Sequence, residues 1–544
     1  MGTGGGDEAM RFFLFGLIVT SLAAPVLAQE PGTSAELQIQ EASPAAAAPA
    51  APPGRVGRVS LVSGNVSVHA SNGEGDAVVN LPLSAGDSLR TGAQARAEFE
   101  IGADTIDLSA DTEIAISKLN DQVMRVTVAR GRIGLALTQL GASESVEVDV
   151  ARQGVALVQP GHYDIDAGRP RIAVFEGAAR LIDGDAADVA VKSGDMALLA
   201  DPPATAAIEP AARDDFVEWC ESRDFDETRL TTPYYISPSM TGFAELDAAG
   251  SWDSNAEYGT LWVPNGVPAD WAPFRDGHWR WIAPWGWTWI DDQPWGFAPF
   301  HYGRWAFIGE HWAWVPGSFI THPVYVPAVV AFLGTARVGL SVADIAGPAI
   351  AWFPLAPGEV YWPSYTRDLD YVRNANLGNV ADVGAIQMDA SGELPLEVFD
   401  GHFANRQFAS VVPRPVFVNG GAVTPALLSL PEQRLQNAPV LMGSPQIDPA
   451  TQRTAVAAVV IKQPSRAWTN HIAALVARSA SRAKMLQAAF AHPRDHGPVS
   501  RLRGAHLRAP AYAEAAPARH TILLRVAHSA PAPMHGGAGK EHRH

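Results

Sequence analysis

The chain is poor in cysteine and in charge. Of its 544 residues one is cysteine, Cys220, which excludes an internal disulfide framework and any zinc site built from a cysteine cluster. Charged residues make up 18%, too few for the solvated faces of a coiled coil. After the first 30 residues no apolar run approaches the roughly 20 residues a membrane-spanning helix needs, so a polytopic helical membrane fold is excluded. Short catalytic motifs are missing as well. There is no Gly-x-Ser-x-Gly elbow, phosphate-binding glycine loop, His-Glu-x-x-His or dinucleotide fingerprint, which removes the common enzyme templates.

What the chain does have is apolar bulk broken by turn formers. Hydrophobic residues are 47% of it, with 49 glycines and 42 prolines, a texture of short strands and turns. Its length allows roughly three or four domains. The net charge of −17 is unevenly spread: from Arg453 onward 14 Lys and Arg face three Asp and Glu, alongside nine of the 16 histidines. This basic tail gains charge as pH falls through the histidine range near ~6.5. An anionic surface is one partner expected of it; a merely solubilising tail is the plainer reading. At the other end, Arg11 precedes FFLFGLIVTSLAAPVL, with small or aliphatic residues at Val26 and Ala28 before Gln29. Residues 1–28 are read as a secretory signal peptide, an uncleaved anchor being the alternative and Met10 an alternative start to Met1. Residues 29–54 form an Ala/Pro linker. Once exported, Cys220 beside Trp219 is either a buried small hydrophobe or an intermolecular disulfide site.

From Arg55 apolar residues alternate, as in Val59 and Leu61, then Val66 and Val68. A period of two marks half-buried strands. The texture continues to VKSGDMALLA, in strands of about five residues between turn signals, which implies a sandwich, barrel or roll over 55–200. The segment from about Gly57 to Leu199 resembles a FecR-type domain in its opening GRVSLVSGNVSV, the turn LSAGDSLRTG, the middle ADTIDLSADTEIAI, the step VARGRIGLAL and the closing IAVFEGAARL. The resemblance implies a periplasmic or cell-surface β domain without catalysis. In founding members of the family that domain receives a signal from an outer-membrane transporter. Those members also carry a cytoplasmic sigma-factor-regulating region, whereas nine residues precede Met10 here, so direct sigma-factor contact is not expected. Residues 201–250 read as a connector: a Pro/Ala bridge, DPPATAAIEPAA, then a short helix in RDDFVEWCESRDF with acidic residues at its start.

Twelve of the 16 tryptophans fall between Trp252 and Trp314. A degenerate step recurs there, Trp-x-Trp or Trp-x-Phe followed by an aliphatic residue: Trp279/Trp281, Trp287/Trp289, Trp305/Phe307 and Trp312/Trp314. Residues two apart share a strand face, so each step sets two rings side by side with the next strand's pair opposite. Turns are expected at 275–277, 283–286, 292–294 and 308–309. One reading makes this face a core, since few residues must bury a large area. The other leaves rings exposed as stacking platforms for sugar or peptide, with Trp279, Trp281, Trp287, Trp289, Trp305, Trp312 and Trp314 as ligand-binding candidates. Buried indoles need acceptors, which Asp276, Asp291, Asp292 and nearby histidines could supply.

Residues from about Tyr258 to Val418 also resemble an uncharacterised Trp-rich bacterial exported family that commonly follows FecR-type domains, through HPVYVPAVVAFLG, AWFPLAPGEVYWPSY, YVRNANLGNV and FANRQFASVVPRPVF. That family implies no particular activity. More strands are expected in VYVPAVVAFL and EVYWP, with Asn374, Asn376, Asn405 and Arg406 in loops. The Trp-rich β domain is drawn over 251–430 and a basic tail over 431–544, disordered or partly helical, with one amphipathic helix at Asn470–Phe490. Catalysis has one weak candidate, the pair Asp291–Asp292 beside aromatic rings. A metal site would need His278, His301 and His311 to converge with Asp276. Neither is favoured, and no cofactor is expected.

The sequence therefore reads as a mainly β, non-enzymatic exported protein of a bacterial envelope: a FecR-like sandwich or roll, then a Trp-rich short-stranded domain. It would bind, signal or act as a scaffold in the periplasm or at the cell surface. The expected partners are an envelope protein or a cell-wall glycan, with no nucleic acid and no membrane span after signal cleavage. The alternative is a glycan-binding, or less readily glycan-cleaving, protein that uses the Trp-rich face.

Overall fold

A computed structural model describes residues 51–447 apart from 72, 183–188, 200–205, 225–229, 336–338, 342–347, 388–396, 399–401 and 442. The predicted signal segment, the linker up to residue 50 and the predicted basic tail from residue 448, with its helix, lie outside the described residues. Contacts divide the chain into Met1–Val459 and Val460–His544, and every described residue belongs to the first unit.

The described chain is mainly β, as its alternating pattern predicts. Its first half is two nine-stranded sheets between which the chain passes back and forth. Gly57–Ser63 lies in one sheet, Val66–Ala70 and Gly73–Asp76 in the other, Pro82–Leu83 back in the first, and the hand-over continues to Asp195–Leu198. Strand pairs are antiparallel save Val123–Arg130 beside Ser145–Val150. Alternation sends Ala97, Phe99 and Ile101 of one sheet and Val126, Val128 and Val148 of the other into a shared core, none above 1% exposed.

The opposite face of the first sheet carries charge that is also buried. Register sets Glu98 against Asp107, Asp107 against Gly134 and Gly134 against Asp164. The helix Asp215–Arg223 covers this row, and its first turn is capped by Asp214, whose carboxylate accepts from the Phe216 and Val217 amides. Arg223 pairs with Glu98, and Arg132 bridges Asp164 at 2.5 Å and Asp214 at 2.7 Å. Gly134 lets the helix close on the sheet, because a Cβ there would stand 2.5 Å from Cys220 Sγ. Burial, with Glu98 nearby, pushes the Asp107 carboxyl up to about 8, so it stays protonated at neutral pH and the row carries less charge than its composition implies. The predicted connector is thus built into the first module. Part of the Pro/Ala bridge is itself a strand, Ala207–Pro210, pairing with Asp195–Leu198.

The Trp-rich half is made of short hairpins. Gly277–Ile282 pairs with Gly286–Asp291, and Arg304–Ile308 pairs with His311–Val315. Each copy of the sequence step is one strand, and the predicted turns at 283–286 and 308–309 join them. Gly286, with φ of +87°, supplies a backbone conformation that side chains resist. The second hairpin continues through Gly259–Pro264 and Gly250–Asn255 into a four-stranded sheet. A further sheet centres on Pro348–Pro354, paired with Val330–Leu333 and Ser410–Pro413.

Three expectations change here. EVYWP forms no strand, because its backbone is held by side chains: the Tyr361 amide donates to Asn376 Oδ1 at 2.7 Å and the Glu359 carbonyl accepts from Arg304 Nε at 3.0 Å. Asn374 and Asn376 lie in the helix Leu369–Asn376 and Arg406 in the helical turn Arg406–Phe408, not in open loops. Asn376, Asn405 and Arg406 are buried, with Asn405 Nδ2 donating to the Trp305 and Pro354 carbonyls. Pairing also continues past residue 430, since Val440–Leu441 joins Val330–Leu333.

The two halves share one apolar core and a buried polar joint. Arg58, 1% exposed, donates to Glu100 Oε2 at 2.7 Å, to Asn80 Oδ1 at 2.9 Å and to the Pro294 carbonyl at 2.9 Å, and pairs with Glu245. Asn80 Nδ2 donates to the Asp291 and Gln293 carbonyls at 3.0 and 2.7 Å. The turn predicted at 292–294 is therefore gripped by the first module. Removing one partner of a buried ion pair costs about 3–5 kcal/mol because the other charge is stranded. Arg58→Leu is expected to lower the unfolding free energy by about that amount and to split a single calorimetric transition into two. A single transition within about 1 kcal/mol of the parent would contradict the joint.

Candidate functional site

Strand register brings the predicted rings together as pairs. Trp279 faces Trp289 and Trp281 faces Trp287 across the first hairpin, with ring centroids 5.6 and 5.5 Å apart and edge-to-face. Trp305 faces Trp314 and Phe307 faces Trp312 across the second. Burial decides what these pairs do. Trp279, Trp289, Trp305 and Trp314 are 0% exposed, Trp287 1% and Trp312 5%; Trp281 is half-buried. Six of the seven stacking candidates therefore lie within the core, where Phe274, Phe300, Phe332, Trp352 and Phe417 pack against members of the set. They present no open ring face to a ligand.

Five of the buried indoles have the acceptors that burial demands. Trp262 donates to the Leu246 carbonyl at 3.0 Å, Trp305 to Pro299 at 2.9 Å, Trp314 to Tyr302 at 2.9 Å and Trp352 to Phe274 at 3.1 Å. Trp289 donates to Asp291 Oδ2 at 3.0 Å, while Asp291 Oδ1 accepts the Gln293 amide at 3.0 Å. Burial raises the Asp291 carboxyl well above the usual carboxylate range. Asp292 is exposed and 3.9 Å from His278 Nδ1. The acidic pair thus diverges, one member spent on the core and the other in solvent. The three histidines occupy separate surroundings: His278 is half-buried, His301 buried and His311 exposed, and Asp276 accepts from Thr424 Oγ1 at 2.7 Å. Among the described residues no group of three or more His, Cys, Asp or Glu is placed to hold a metal ion.

A different place has the features of a binding surface. A shallow groove of ≈ 30 Å³ runs between Tyr235, Met240, His301, Phe319, Val326 and Asn374. Its rim is aromatic and open, with Phe319 59% and Tyr235 38% exposed, and Tyr234 beside them 82% exposed. Tyr235 is held flat by stacking on Trp252 at 4.6 Å and 21°, and the Trp252 indole donates to Thr232 Oγ1 at 3.0 Å. His301 lies at the groove, 0% exposed. Its Nδ1–H donates to the Val326 carbonyl at 2.9 Å, which fixes the tautomer and leaves Nε2 as a buried acceptor with no partner. Desolvation lowers its pKa to about 3, so the ring is neutral. The groove can therefore take an apolar ring face against its aromatic rim. Sequence reasoning missed it because Tyr235, His301 and Phe319 come from three segments with no shared motif. The exposed, isolated Phe319 in a Gly-Ser-Phe-Ile-Thr loop was the one available sign.

Two outcomes follow. Trp279→Ala is expected to cost about 3–5 kcal/mol and Trp281→Ala less than half of that, read by chemical denaturation; equal losses would mean the rings are not divided between core and edge. His301 remains neutral in the fold, whereas in the unfolded chain it protonates near its ordinary 6.5. Its contribution is present above about 6.5 and is lost as pH falls toward 3, at up to ~1.4 kcal/mol per pH unit. His301→Phe should flatten stability against pH over that window, and an unchanged slope would count against a buried neutral imidazole.

The family model for a family of unknown function, DUF6600, matches residues 243–359, which take in both tryptophan hairpins and the strand Pro348–Pro354. No curated protein matches the chain. Two crystal structures of a candidate anti-sigma factor from Parabacteroides distasonis are similar to part of it, at 9% and 8% identity and a TM-score of 0.22 each. The similarity covers 24% of this chain and 63% and 64% of those chains. The chain thus spans less than two thirds of their length, and a likeness of that TM-score carries no argument about fold or function.

Proposed function

We propose that this chain is a non-enzymatic exported envelope protein of the FecR-like kind, a rigid binding and scaffold module carried on a signal segment and trailed by a basic tail. The observation that carries the reading is the use made of its aromatic and acidic residues. The tryptophans and Asp291, the residues with the most chemistry to offer, fill and brace the core, and Arg58 welds the two β halves together. A body braced in this way holds its surface loops at fixed distances, which suits recognition by pre-organisation. The apolar run before Gln29 supports export. On this reading the chain is recovered from the periplasm or cell surface with Gln29 as its first residue. Cytoplasmic recovery of the uncleaved chain would sink the localisation.

The second reading is glycan binding, moved from the tryptophan face to the groove at Tyr235 and Phe319. Its support is the open, flat, pre-stacked aromatic rim. In co-sedimentation with purified peptidoglycan it predicts retention of the parent chain, and a loss of about tenfold in affinity for the Tyr235→Ser/Phe319→Ser double variant. Trp281→Ser, on the half-buried hairpin edge, should leave retention unchanged. Equal retention of the double variant would remove the groove from the account.

A further inference from the structure

A polar concavity on the first module lies apart from the aromatic groove. It measures ≈ 480 Å³ and is lined by Asn65, Ser67, Glu74, Asp76 and Arg90, with glycine backbone at 75 and 92. That volume falls within the range of small-molecule sites, about 300–1,000 Å³. No apolar side chain lines it, so an apolar guest finds no partner there.

Strand register puts the charges on one face. Directly opposed residues of an antiparallel pair project from the same side of the sheet. Ser67 of Val66–Ala70 is opposed by Asp76 of Gly73–Asp76 on one flank and by Arg90 of Ser88–Thr91 on the other. Their neighbours Val66, Val68, Leu89 and Thr91 turn inward, none above 3% exposed, whereas Asp76 and Arg90 are exposed. Glu74 stands two residues before Asp76 on the same strand and so shares its face. With neighbouring strands about 4.8 Å apart, the Asp76 and Arg90 backbones are separated by about 9–10 Å. Only the small Ser67 side chain stands between them.

The acidic strand is braced from behind while its outer charges stay available. Arg280 Nη1 of the first tryptophan hairpin donates to the Asp76 carbonyl at 3.3 Å, and a Cβ on Gly75 would stand 2.8 Å from Arg280 Nη2. Asp76 also lies in the field of that guanidinium. Glu113, opposed to Arg90 on its far side, is engaged by Arg130 at 3.8 Å. Among the described residues Arg90 and Glu74 enter no ion pair. A simple anion there meets repulsion from two carboxylates, and a simple cation leaves the guanidinium unmatched. A guest carrying both charges satisfies both sides, and Asn65 and Ser67 can hydrogen-bond its polar atoms. We propose that this face is a binding site for a small zwitterion of the α-amino acid class, its carboxylate held by Arg90 and its ammonium by Glu74 and Asp76.

The test removes one charge of the guest at a time. The full chain, ¹⁵N-labelled, is titrated at neutral pH and constant ionic strength with L-serine, with N-acetyl-L-serine, which lacks the ammonium, and with L-serinamide, which lacks the carboxylate. The amide resonances of Gly75 and Gly92 and the Arg90 Nε–H should move on one saturating curve with L-serine. Each analogue should bind about fivefold more weakly, the upper value of a solvent-exposed ion pair. In Arg90→Gln the preference for L-serine over L-serinamide should vanish, and in Glu74→Gln the preference over N-acetyl-L-serine should fall. Both side chains are exposed, so neither change reaches the core. No saturating shift with L-serine in the folded chain, or equal affinity for all three compounds, would overturn the proposal.

Discussion

An indole is a large apolar plate with a single N–H, and burying it requires a hydrogen-bond acceptor at one particular edge. That requirement shapes the Trp-rich half. Short strands supply the paired rings, but a ladder's carbonyls are already engaged, so the acceptors come from irregular backbone. Pro299 and Tyr302 lie in and just after the short helix Ala298–His301, Leu246 opens another, and Phe274 sits in a turn with φ of +61°. Each carbonyl oxygen accepts from the indole N–H of a tryptophan between six and 78 residues further along the chain. The paths of these loops are thus fixed by the rings they serve.

Asp291 carries the same logic to the joint between the halves. Its side chain holds the Trp289 indole and the Gln293 amide, and its carbonyl accepts from Asn80, which in turn receives Arg58. Aromatic packing and inter-module contact therefore meet in one residue. The first module repeats the pattern on its own charged face, where Glu98, Asp107 and Asp164 are roofed by the helix Asp215–Arg223 and its arginine. In both places polar groups that look chemical in the sequence are consumed by structure.

Much of this was legible from the residues alone. Period-two alternation from Val59 onward foretells the strands, the spacing of Trp279, Trp281, Trp287 and Trp289 foretells a hairpin, and the acidic start of RDDFVEW foretells the capped helix. What escaped were effects of long-range contact. EVYWP alternates like a strand, yet Asn376 and Arg304 take its backbone. Asn405 has a loop composition, yet it is buried beneath Trp305 and Pro354 carbonyls. The groove is the clearest case: nothing local to Tyr235, His301 or Phe319 says that they come together. Nor could the repeat itself say which rings would be covered, because burial depends on elements such as Ser410–Pro413 and the Phe417 ring that lie far along the chain.

The account rests on the tryptophan pairs being interior rather than displayed, and oxidative footprinting of the native chain with peptide mass analysis measures that directly. Trp262, Trp279, Trp289, Trp305 and Trp314, each 0% exposed, should resist oxidation, while Tyr234 and Phe319, at 82% and 59%, react readily. Rapid oxidation of Trp279 and Trp289 in the folded protein would contradict it.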